Sequence, residues 1–164
     1  MAFQVFSTAF DDQGRLPVRH TADGADRSPP LAWSDPPPGT AAFALVCEDP
    51  DAPGGTWFHW ALYDIPASVT SLPEGPPAGV PGTVGKASVN DFGRPGYGGP
   101  APPPADPPHR YRFRVLAVGV DLLPLGSRPS ARDVARAAAR HLLAEASIVA
   151  WYGRDLPRVD RVSR

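Results

Sequence analysis

The chain has 164 residues, enough for about one domain that buries roughly two thirds of the surface its unfolded form exposes. With 16 basic and 17 acidic residues its formal charge is -1, which supplies no overall field to draw it onto nucleic acid or anionic lipid. Its 23 prolines and 16 glycines approach the level of disordered chains, but they cluster between apolar runs and so read as loop punctuation in a β-rich domain.

In chain order, residues 2–9 alternate weakly and predict a first strand, and Asp11-Asp-Gln-Gly14 offers a turn. Residues 15–35 are irregular and polar, ending in Ser28-Pro-Pro-Leu-Ala-Trp-Ser34. After the Pro36-Pro-Pro-Gly39 turn, residues 41–48 form an uninterrupted apolar run, the signal of a strand buried on both faces. It contains Cys47, the only cysteine, which excludes an intramolecular disulfide and reads as a buried, inert thiol. Residues 57–65 predict the next strand, stopped by Pro66, with Trp57, His59, Ala61 and Tyr63 on one face and Phe58, Trp60 and Leu62 on the other. Residues 110–118 alternate cleanly, Tyr111, Phe113, Val115 and Ala117 opposing Arg110, Arg112, Arg114 and Leu116. One helix is expected over residues 131–146, capped by Ser130 and carrying Asp133 in its first turn, with Val134, Ala138, Leu142 and Glu145 or Ala146 at helical spacing. A closing strand follows over residues 147–151. Scattered strands with one late helix argue for a single domain, residues 1–164, built as a β-sandwich. The first residues lack a positive segment followed by an apolar core, and no stretch approaches bilayer length, so a cytoplasmic protein without membrane insertion is expected.

Chemistry concentrates in two segments. Asp49 and Asp51 leave the buried strand separated by Pro50, and acids so placed commonly bond the backbone of a turn. His59 lies between aromatics in a strand, where histidine is often a satisfied core residue. His109 and Tyr111 are two apart in a strand and so address the same side, while Arg110 points away. In the loop over residues 96–103, Gly96, Gly98 and Gly99 permit close approach of a ligand to main-chain amides, and Pro100, Pro102 and Pro103 stiffen the rim. No Gly-Lys-Ser or Gly-Lys-Thr follows, so this is not a nucleotide phosphate loop.

The blocks Asp49-Pro-Asp-Ala-Pro53 with Phe58-His59-Trp60, and Gly96-Tyr-Gly-Gly-Pro-Ala-Pro-Pro103 with His109-Arg-Tyr-Arg-Phe113, resemble the paired signature segments of the phosphatidylethanolamine-binding protein family, in particular its bacterial branch. Ser28-Pro-Pro-Leu-Ala-Trp33 resembles a third family segment. The resemblance implies a large antiparallel sheet packed on a smaller one. It also implies a ligand pocket involving Asp49, Asp51, His59, Gly99, Pro103, His109 and Tyr111, without cofactor or metal. Two departures stand out: the proline-rich connector Pro104-Ala-Asp-Pro-Pro108, and a short ending after residue 152 where eukaryotic members carry helical segments used in partner regulation.

The first functional reading is therefore a binding protein for a small anionic or zwitterionic ligand, since imidazoles, a phenol and backbone amides donate to oxyanions. Asp49 and Asp51 would then orient the histidines or receive an ammonium group. The alternative is a non-redox lyase, cyclase or isomerase using Asp49, His59 and His109 as acids and bases. Ser71, Ser88 and Cys47 lack the setting of a nucleophile, which disfavours covalent hydrolysis. An inhibitor of kinases or proteases is suggested only by what the resemblance implies of relatives. Exposed strand edges make a homodimer plausible.

Overall fold

The computed structural model describes residues 2–154. The chain's last stretch, on which the expectation about partner regulation rests, lies from residue 155 outside the described residues. Strands β1 (Gln4–Phe6), β3 (Leu31–Ser34) and β6 (Ser71–Leu72) form a small sheet in the order β1-β3-β6. The large sheet runs β2-β9-β8-β4-β5-β7, from β2 (Gly14–Arg15), β9 (Leu142–Tyr152), β8 (His109–Val118), β4 (Ala42–Asp49), β5 (Trp57–Pro66) and β7 (Lys86–Ala87). All pairings are antiparallel except that of β2, whose two residues run parallel to β9. The expected fold class, a large sheet packed on a smaller one with one helix, is observed.

Two cores explain why β4 is apolar throughout. Phe43, Leu45 and Cys47 pack with Phe113, Val115 and Ile148 against Leu31, Trp33 and Leu72 of the small sheet. Ala42, Ala44 and Val46 pack with Leu116 and Val118 against Val134 and Ala138 of helix α1 (Ala131–Arg140) on the opposite face. A strand covered by a sheet on one side and a helix on the other needs no polar face. The predicted alternation of β8 is observed, with Tyr111, Phe113, Val115 and Ala117 all in the inter-sheet core.

Three local expectations are corrected. Residues 15–35 are not wholly irregular: β3 pairs Val5 with Trp33, its four residues hidden in the sequence by flanking prolines. The helix begins as expected, with the Asp133 N–H donating to Ser130 Oγ and the Ser130 N–H donating to Asp133 Oδ2, both at 3.0 Å. It stops at Arg140 and does not reach residue 146. Residues from Leu142 extend β9 instead, with Val118 facing Leu142 and Val115 facing Ala146. The pairing groups of β8 are a long-range demand that outweighs the modest helix preference of Leu-Leu-Ala-Glu-Ala.

The third correction bears on the site. Cys47 pairs with Trp60 and Glu48 with Phe58, so β5 carries an extra residue there, and that residue is His59. A bulge breaks strict alternation. Trp60 and Leu62 accordingly join the inter-sheet core that Tyr111 also lines, whereas Phe58, Ala61 and Tyr63 face the helix.

Candidate functional site

The ends of three adjacent strands meet at one cavity of about 290 Å³. β4 ends there in Asp49, β5 passes through its bulge at His59, and β8 begins with His109 and Tyr111. All four residues are buried. Trp57, Phe92, Pro53 and the 101–103 stretch close the walls, so the polar groups converge in a mostly apolar setting.

Each imidazole is held by its Nδ1. His59 Nδ1 lies 2.6 Å from the Gly98 carbonyl oxygen, and the Gly98 N–H donates back to the His59 carbonyl at 3.0 Å. This double clasp ties the glycine loop to the bulge. A carbonyl can only accept, so Nδ1 carries the proton, and among the described residues Nε2 makes no hydrogen bond. Burial holds the His59 pKa below the ordinary imidazole range, so the ring is neutral near pH 7. His109 differs: its Nδ1 lies 2.7 Å from Asp49 Oδ2 and its Nε2 lies 3.0 Å from Asp106 Oδ2. Burial pulls its pKa down, but the two carboxylates outweigh that and hold it above the ordinary value. One cavity thus contains a neutral and a charge-stabilised imidazole.

Tyr111 lies between them, its ring 5.3 Å from that of His59 and 6.4 Å from that of His109. Burial, reinforced by the Asp49 charge, pushes its phenol far above the ordinary range, so it is a hydrogen-bond donor at every working pH. Asp49 Oδ1 accepts the Asp51 N–H at 2.8 Å, an Asx turn that fixes the carboxylate toward His109.

Asp49, His59, Pro103, His109 and Tyr111 line the cavity together, and two other candidates do not. Asp51 forms a bidentate pair with Arg110, 3.0 Å to Nε and 2.8 Å to Nη2, and accepts the Arg110 N–H at 2.8 Å. It braces the start of β8 from outside. The Gly99 N–H donates to Asp26 Oδ1 at 2.8 Å, and the Gly96 N–H donates to the Ser88 carbonyl at 3.1 Å. The loop amides expected to meet a ligand are therefore engaged within the protein, because a glycine-rich loop buried on both sides must satisfy its own donors.

Sequence reasoning missed Phe92 and Asp106. Phe92 lies in a turn where Asn90 Oδ1 accepts its N–H at 2.9 Å and Asn90 Nδ2 donates to the Gly96 carbonyl at 2.9 Å, an arrangement without a local pattern. Asp106 sits in the connector already noted as unusual, three residues before His109, and that spacing was an available signal. Among the described residues no group of three His, Cys, Asp or Glu side chains is arranged to hold a metal ion. None of the described helices is long and apolar enough to cross a membrane.

The model of the family described as phosphatidylethanolamine-binding protein matches residues 6–153. The chain belongs to that family. It is 45% identical over 153 residues to the UPF0098 protein of Aquifex aeolicus, covering 93% of this chain and 89% of the relative. It is 38% identical over 158 residues to YbhB of Escherichia coli, covering 91% and 99% respectively. The crystal structure of E. coli YbcL, titled a new member of the mammalian PEBP family, superposes with a TM-score of 0.85 at 35% identity, over 93% of this chain and 99% of that one. Family membership and the strand framework thus agree, and the strand ends that frame the cavity belong to the shared fold.

Proposed function

We propose that this family member is a binding protein for small ligands with a phosphate-, carboxylate- or zwitterion-type head group, seated in the cavity between His59 and His109. The observation that carries this reading is the convergence of Asp49, His59, His109 and Tyr111, all buried, on one cavity of about 290 Å³. His109 and the Tyr111 phenol supply donors for an oxyanion, Asp49 attracts an ammonium group, and Trp57 and Phe92 offer an apolar wall to the remainder. Calorimetric titration with phosphate, acetate and phosphoethanolamine between about pH 5.5 and 8.5 tests it, across the imidazole range. Affinity is expected to fall as pH rises through the elevated His109 pKa, and to fall in folded His109→Ala. Affinity flat with pH and unchanged in that variant would remove the proposal.

A second reading is favoured by the state of His59. A neutral imidazole whose Nδ1 proton is engaged by the Gly98 carbonyl presents Nε2 as a base, which suits a lyase, cyclase or isomerase using Asp49 and His109 as partners. His59→Gln would then lower turnover of a bound compound by about 10²–10⁴ with little change in its affinity. Chemical turnover absent from every compound that binds would leave the carrier reading alone.

A further inference from the structure

The connector between the rim and β8 carries one carboxylate, Asp106, which reaches the imidazole of the cavity-lining His109 without itself lining the cavity. His109 thus faces two carboxylates of different character. The Asp49 side chain is 4% exposed, sits at the end of a central strand and is fixed by the Asp51 N–H. The Asp106 side chain is 30% exposed, and none of residues 104–108 belongs to either hydrophobic core. What holds Asp106 in place is a turn, its N–H donating to the Pro103 carbonyl at 3.1 Å, and the 3.0 Å contact with His109 Nε2.

We infer that Asp106 is a tethered competitor for the anionic end of a ligand: its carboxylate takes the hydrogen-bonding position on His109 Nε2 that a bound phosphate or carboxylate would take, and ligand enters by displacing it. The inference rests on the anion-binding reading above and adds its regulation. An imidazolium N–H does not distinguish a side-chain carboxylate from a ligand oxyanion, so the two exclude each other at one donor. Asp49 cannot yield, being buried and braced, whereas Asp106 can swing into solvent without opening a core. Pro103 and Pro104 before it and Pro107 and Pro108 after it leave few open conformations, which raises the effective concentration of the tethered carboxylate. The apparent affinity of any anion is then reduced by the fraction of molecules in which Asp106 is displaced. That factor is the same for every ligand needing the His109 N–H, so the connector sets the concentration at which the site fills.

The experiment compares the parent, Asp106→Ala and His109→Ala by titration with inorganic phosphate and with acetate, at about pH 5.5 so that the His109 imidazole is protonated with or without Asp106. The groups facing that imidazole are Asp49 from β4, His59 from β5, Tyr111 from β8, the Asp51–Arg110 pair beside it and Asp106. Only the last is altered. Both anions are expected to bind Asp106→Ala about tenfold more tightly, the gain for a site released from a state closed roughly nine-tenths of the time. Histidine NMR titration without ligand supplies a second readout, in which the His109 ring should lose its proton at lower pH in Asp106→Ala. An unmoved His109 titration overturns the contact itself. A moved titration with unchanged or weaker anion binding overturns the competition. Binding of both anions by His109→Ala as tightly as by the parent refutes the anion-binding reading, and the competitor role falls with it.

Discussion

Replacing Gly99 by alanine should destabilise the fold more than it weakens ligand binding, the reverse of what a ligand-facing glycine would do. A methyl group built there overlaps the Asp26 carboxylate, and it lies 2.7 Å from the His20 carbonyl oxygen and 3.0 Å from Thr21 Cα. The carboxylate could rotate, but only by abandoning the Gly99 N–H it accepts at 2.8 Å. The His20 carbonyl has no such freedom, because the Tyr97 hydroxyl donates to it at 2.6 Å and the Thr21 N–H anchors the same turn to the Val18 carbonyl at 3.0 Å. Overpacking a closed site costs about 1–3 kcal/mol, and weakening a charge-assisted hydrogen bond adds about 1–2 kcal/mol. For a chain of this size each kcal/mol lowers Tm by roughly 2–4 °C, so a fall of about 4–20 °C is expected by scanning calorimetry. Gly98→Ala is the contrasting case: its methyl group meets the Phe92 ring at 2.7 Å, and that ring, 41% exposed, has solvent on one side into which it can shift. Its Tm should stay within about 4 °C of the parent while ligand affinity changes, since Phe92 lines the cavity. A Gly99→Ala protein melting within about 2 °C of the parent would refute the packing argument.

Asp51→Asn removes an ion pair whose partners are 45% and 30% exposed, so urea denaturation should show a loss of no more than about 1 kcal/mol, with anion affinity within about twofold of the parent. Stability against pH should carry opposite signatures of the two histidines. His109, raised in the fold, contributes stability that is full below the ordinary imidazole pKa and lost as pH rises through its elevated value; His59, depressed, contributes stability present above the ordinary pKa and lost as pH falls below it. His109→Gln should flatten the alkaline side of a plot of urea midpoint against pH and His59→Gln the acid side; identical profiles for both would contradict these assignments. Cys47, whose thiol is pushed up by complete burial, should resist thiol reagents until the chain unfolds, and labelling of the native protein at the rate of a free thiol would contradict its placement.

The strands that frame the cavity were legible because each carries a local signature. β4 is apolar throughout, β8 alternates, and the two proline- and glycine-rich blocks mark the loops that flank them. The helix end was not legible, since the residues after Arg140 favour helix locally and become strand only because β8 needs a partner. Nor was the facing of β5, because an inserted residue at His59 shifts the side chains that follow it, a second irregularity between Leu62 and Ile65 shifts them again, and an insertion is defined only against the neighbouring strand. Asp51 and Gly99 show a related limit. Their residue types and spacing suit a pocket, but whether a carboxylate or amide points into a cavity depends on which partner reaches it first. Arg110 captures Asp51, and Asp26, distant in sequence, captures the Gly99 amide.

The contrast between the histidines follows from what each ring meets. A carbonyl fixes the tautomer of His59 without favouring a charge, and burial then keeps the ring neutral. At His109 the Asp49 and Asp106 carboxylates together favour the cation strongly enough to overcome burial. The cavity therefore has a lone pair to offer at one wall and a proton at the other, with the Tyr111 phenol between them as a second donor. A simple dianion would use only one of these walls, and Asp49 would repel it. A head group that joins an oxyanion to a hydroxyl or ammonium would engage both walls at once, which is the physical ground for placing phosphoethanolamine beside phosphate and acetate in the same titration. The bulge completes the setting in a different way: Glu48 faces Phe58 and Cys47 faces Trp60, so Trp60 and Leu62 join the inter-sheet core that Tyr111 lines, next to His59.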